Sequence, residues 1–106
     1  MLVRIVRMTF DKDKIVDFQA SFNNIKEKII NYKGCKLLEL YQDRNDECVF
    51  FTYSHWESEE DLNQYRNSEF FKEVWSRTKK MFSEKPLAWS VNKMVSLDNK
   101  NGAESL

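Results

Sequence analysis

The sequence predicts a single α+β domain of order β-α-β-β-α-β, in which helices cover one face of a four-stranded antiparallel sheet. Three observations carry this. An apolar stripe at helical spacing follows a β-rich start. Two further β-rich runs flank a short polar loop. A second helical stretch then runs through the single proline into a last β-rich run.

Leu2 to Phe10 is rich in Val, Ile, Met and Phe and reads as the first strand. Asp11 is placed to cap the first helix. Ile15, Phe18, Phe22, Ile25 and Ile29 recur every three or four residues, and Lys14, Asp17, Asn24 and Lys28 fall outside that stripe. Gly34 stands where a helix C-cap glycine belongs. Cys35 to Asp43 and Cys48 to Trp56 form a hairpin around Arg44-Asn45-Asp46-Glu47. Ser58-Glu59-Glu60-Asp61 opens a short helix ending near Tyr65, and Asn67 or Ser68 caps a longer one with Phe71, Val74, Thr78 and Met81 on one face. Pro86 ends it, and Leu87 to Val95 is the last strand. This order is the ferredoxin-like split βαβ arrangement, and right-handed crossovers put both helical stretches on one face of the sheet.

Composition narrows the function. The chain has 106 residues, with 17 Lys+Arg against 17 Asp+Glu, so no basic surplus draws it to nucleic acid or to anionic lipid. No apolar run approaches the roughly 18 residues of a membrane span. Arg4 and Arg7 interrupt the apolar start, unlike a signal peptide. A cytoplasmic location is expected. Cys35 and Cys48, far apart along the hairpin, read as reduced thiols. No phosphate loop, nucleophile elbow or zinc spacing is present, so no metal is expected.

If Arg44 to Glu47 is the whole loop, Asp43 faces Cys48 and alternation sorts the hairpin into two faces. One carries Cys35, Leu37, Glu39, Tyr41, Phe50, Thr52, Ser54 and Trp56. The other carries Lys36, Leu38, Leu40, Gln42, Val49, Phe51, Tyr53 and His55. The first, mixing rings with a carboxylate and hydroxyls, is expected to form a cleft beneath the helices. The second, greasy at Leu38, Leu40, Phe51 and Tyr53, is expected to pack on a second copy of the chain.

The block Phe50-Phe51-Thr52-Tyr53-Ser54-His55-Trp56-Glu57-Ser58-Glu59-Glu60-Asp61-Leu62, continued by Tyr65-Arg66-Asn67-Ser68-Glu69-Phe70-Phe71-Lys72, resembles the antibiotic biosynthesis monooxygenase family of dimeric α+β barrels. The resemblance spans about Leu2 to Val95, within a domain of residues 1–96 followed by a flexible tail, 97–106. It implies a homodimer and, for one branch of the family, oxidation of a small quinol-like aromatic by O2 without a cofactor. Trp56 matches a cavity Trp of those enzymes. Their Asn one strand turn earlier is here Thr52, and their Tyr six residues later is here Leu62, with Tyr65 one helical turn on. Haem degradation, the other branch, is disfavoured because its iron-binding His and its strand-one Asn fall on Trp75 and Val6. The alternative to an oxygenase is a non-catalytic dimer that binds a small ligand or serves a stress response.

The expected catalytic bases are Glu39, on the cleft face, and His55, the single histidine, on the other. The expected substrate-binding residues are Trp56, Thr52, Ser54, Tyr41, Tyr65 and Trp75.

Overall fold

The computed structural model describes residues 1–99. The chain forms β1 (Leu2–Thr9), a 3-10 turn (Lys12–Lys14), α1 (Ile15–Ile30), β2 (Cys35–Gln42), β3 (Val49–Trp56), α2 (Glu59–Arg66), α3 (Glu69–Lys79) and β4 (Leu87–Asn92). All strand pairings are antiparallel, in the order β2-β3-β1-β4. The first and third strands thus hold the centre, as the ferredoxin-like arrangement requires. β4 stops at Asn92, short of the expected Val95. The expected tail from residue 97 lies, beyond Asn99, outside the described residues.

The apolar stripe of α1 meets the sheet as its spacing demands. Phe18 stacks on Phe10 with centroids 4.1 Å apart, and both join Met8 and Phe50 in a buried cluster flanked by Val6, Ile15, Phe22 and Leu40. A second cluster, Cys35, Trp56 and Leu62, is flanked by Leu2, Ile30, Tyr32 and Tyr65. Asp11 does not cap through its side chain; its carbonyl instead accepts from the Lys14 N–H at 2.9 Å and closes the 3-10 turn.

Gly34 lies past the end of α1 rather than at its cap. Its φ of +85° turns the chain into β2. Its carbonyl accepts from the Glu57 N–H at 2.8 Å. Ser58 caps as its position predicts, and of Asn67 and Ser68 it is Ser68 that caps: Ser58 Oγ accepts from the Asp61 N–H and Ser68 Oγ from the Phe71 N–H, both at 3.1 Å. The chain between Arg66 and Glu69 therefore breaks one helical stretch into two.

The hairpin register differs from the expected one. Gln42 pairs with Phe50, Tyr41 with Phe51, Leu40 with Thr52 and Leu38 with Ser54, one step off throughout. The loop is longer than four residues because its aspartates build it. Asp43 Oδ2 accepts from the N–H groups of Asn45 (3.0 Å) and Asp46 (2.9 Å), and Asp46 Oδ1 accepts from that of Cys48 (3.0 Å). An irregularity at Lys36 restores the expected pairing of Cys35 with Trp56.

The consequence is a correction to one strand. β3 divides as expected, with Phe50, Thr52, Ser54 and Trp56 toward the helices. β2 is inverted: Leu38 and Leu40 lie beneath the helices, and Leu37, Glu39 and Tyr41 share the open face with Phe51, Tyr53 and His55. Leu38 and Leu40 are therefore not available to a second subunit through that face. Cys35 is buried and Cys48 half-buried, both free thiols at opposite ends of the hairpin.

Candidate functional site

A cavity of about 230 Å³ lies between sheet and helices, where the two core clusters meet. Its floor comes from alternate positions on the central strands: Arg4, Val6 and Met8 of β1, and Thr52, Ser54 and Trp56 of β3. Leu38 and Ala88 extend it toward the sheet edges. Phe18, Phe22 and Ile25 of α1 roof one side, and Tyr65, Phe71 and Trp75 of α2 and α3 the other.

The aromatic residues form a continuous arc. Trp56 stacks on Tyr65 with centroids 5.1 Å apart, Tyr65 meets Phe71 edge-on at 5.0 Å, and Phe71 stacks on Trp75 at 5.9 Å. Trp56 is only 1% exposed, and its indole N–H donates to Ser54 Oγ at 3.0 Å. That bond fixes the indole plane and leaves the Ser54 proton for another acceptor. Burial, then the neighbouring Cys35 and Tyr32, push the Tyr65 phenol far above its ordinary pKa, so it stays protonated.

Among the described residues the cavity wall carries no Asp, Glu, His or Lys; its charged members there are Arg4 and Arg66. Arg4 donates from Nη1 to Ser90 Oγ at 3.0 Å. Burial, then the Arg66 charge, hold its guanidinium below the ordinary value. Among the described residues no group of three or more His, Cys, Asp or Glu is placed to hold a metal ion. None of their helices is long and apolar enough to cross a membrane.

The structure brings Trp56, Thr52, Ser54, Tyr65 and Trp75 together around this cavity. It removes Glu39 and Tyr41 from it, because the inverted β2 turns both to the open face. There the Tyr41 hydroxyl donates to the Glu39 carboxylate, a bond that raises the Tyr41 pKa. His55 is on that face as its register predicted, with Nε2 3.0 Å from the Tyr53 hydroxyl. Burial, then Lys93, lower its pKa, against the opposing pull of Glu39. Neither expected base faces the cavity.

Arg4 and Arg66 are the residues that sequence reasoning missed. A signal for Arg4 existed: it falls in phase with Leu2, Val6 and Met8, the core-facing positions of β1. Arg66, at the exposed end of α2, gave none.

Comparison with known proteins agrees with this fold. A crystal structure of an antibiotic biosynthesis monooxygenase superposes with a TM-score of 0.83 at 16% identity, covering 90% of this chain and 100% of the other. A conserved protein from Methanosarcina mazei Go1 gives 0.82 at 19% identity, covering 88% and 93%. A protein from Nitrosomonas europaea, described as a candidate antibiotic biosynthesis monooxygenase, gives 0.82 at 17% identity, covering 90% and 100%. At such identities these likenesses speak for the fold alone. No protein of curated function matches the chain. The sequence model of antibiotic biosynthesis monooxygenases matches residues 1–76, most of the chain, so this protein belongs to the antibiotic biosynthesis monooxygenase family.

Proposed function

We propose that the chain is a cofactor-independent monooxygenase that oxidises a small aromatic molecule in this cavity, acting as a homodimer in the cytoplasm. The observation that carries the reading is the aromatic arc closing a polar-floored cavity of about 230 Å³. An apolar cavity of roughly 150 Å³ already holds benzene, so this one suits a single substituted ring. Trp56 and Trp75 offer flat apolar walls. Thr52, Ser54 and Arg4 supply donors for a ring oxygen. For a phenol the balance is one O2 in, one oxygen atom placed on the ring as a carbonyl, and the other released as water with two hydrogens from the substrate.

The test is oxygen uptake with simple phenols and quinols, comparing the native chain with Thr52→Phe, which fills the cavity floor. We expect uptake above the spontaneous rate and its loss in Thr52→Phe. Uptake that survives the substitution would place the reaction elsewhere. A second reading, a dimer that binds such a ring without turning it over, is favoured by a cavity wall that, among the described residues, carries no carboxylate or imidazole. Ring binding without oxygen uptake would select it.

A further inference from the structure

The cavity carries two guanidinium groups with no acid among the described residues to answer them. None of the ion pairs among the described residues uses Arg4 or Arg66. Arg4 is half-buried in the floor, and its bond to Ser90 is its one hydrogen bond among the described residues. A guanidinium has five N–H donors in a planar fork, so most of Arg4's capacity is unspent. Its burial is costly without a counter-charge, and the charge of Arg66 adds to the cost. The remaining wall is apolar, hydroxylic or backbone. A bound anion would relieve both charges at once, and water would be displaced from a site where such attraction is strong.

Resting on the proposed aromatic site, we infer that the cavity selects aromatic anions: one ring bearing an ionised oxygen, held by Arg4 with Arg66 as a second charge nearby. Among the described residues the wall holds no Asp, Glu, His or Lys, and Tyr65 stays protonated, so none of these side chains takes the substrate's proton. It binds the ionised form and shifts the acid–base equilibrium of the ligand itself. The resulting electron-rich anion is the form that gives up electrons to O2 most readily.

The sign of one shift decides the matter. Burial alone raises the pKa of a phenol, whereas adjacent cations lower it. The probe is 4-nitrophenol, whose two forms differ in visible absorption, titrated with the native protein across the pH range of its ionisation. The anion is expected to bind at least tenfold tighter than the neutral form, moving the bound midpoint down by about one unit. Arg4→Gln and Arg66→Gln should each reduce that preference, and Arg66→Gln, at an exposed helix end, serves even if Arg4→Gln fails to fold. A midpoint that moves upward, or a preference untouched by Arg66→Gln and by any folded Arg4→Gln, overturns the anion assignment while leaving the aromatic site standing. Failure of both forms to bind overturns the aromatic site and the anion assignment together.

Discussion

Gly34 shows how one missing side chain sets the path of the chain. Its φ of +85° is one that L residues rarely adopt. A Cβ there would lie 2.3 Å from Asp61 Oδ2 and 2.5 Å from Asp61 Cβ. The second contact matters more, because Asp61 Cβ is fixed to the first turn of α2 and no rotamer moves it away. Gly34→Ala should therefore cost roughly 2–5 kcal/mol, the left-handed penalty plus that of overpacking. Denaturant unfolding of the variant would measure it. Asp61→Ala should restore little, since its Cβ remains; full recovery would mean that the carboxylate alone made the clash. Trp56 illustrates the opposite case at this scale. A large ring is buried whole because its one polar atom finds Ser54 two residues earlier on the same strand face.

At the scale of elements, capping decides where the second helical stretch breaks. Ser68 Oγ accepts from Phe71 N–H at 3.1 Å and donates to the Tyr65 carbonyl at 2.6 Å. It starts α3 and ties that start to the end of α2, which sets Tyr65 against Phe71 in the cavity wall. Ser68→Ala should cost about 1–2 kcal/mol, and Ser58→Ala about 1 kcal/mol. The double variant should show the sum, because the two caps share no partner; thermal melts of the three proteins would check this. Ser58 was legible in the sequence, as were every strand and the stripe of α1, since local chemistry specifies them; the second cap was legible only to within Asn67 or Ser68. The β2 faces were not. Polarity alone marks a four-residue turn, whereas the hydrogen bonds of Asp43 and Asp46 that lengthen it depend on loop geometry. A one-step slip exchanges faces, and it carried Glu39 and Tyr41 out of the cavity. The adjacent pair Leu37-Leu38 blurred the alternation that would have corrected the count. Leu38 and Leu40 read as a pair, with the greasier side of the strand given to the helices, would have pointed the right way.

For the whole molecule, the helices cover one face of the sheet and leave the other to something else. On that open face Leu87 and Trp89 are each 45% exposed, Val91 42% and Tyr41 50%, beside Leu37, Phe51 and Tyr53. These residues span β2 to β4, so the apolar surface runs across the sheet rather than standing as scattered side chains. Contiguous patches of this kind mark interaction surfaces in proteins that stay dispersed in water. A twofold pairing of two such faces would bury each against its like. The surface has polar members, Glu39 bonded to Tyr41 and His55 beside Tyr53, whose internal bonds would let them enter an interface with partners already in place. Trp89 offers the largest exposed ring on β4 and is absent from the cavity wall, so a charge placed there tests the pairing without touching the proposed site. The native chain should sediment at about twice its 12.8 kDa mass. Trp89→Glu should sediment as a single chain at micromolar concentration while keeping its native circular dichroism. A variant that keeps the native mass would mean that Trp89 lies outside the contact, and a native protein that sediments as one chain would leave the open face without a second copy.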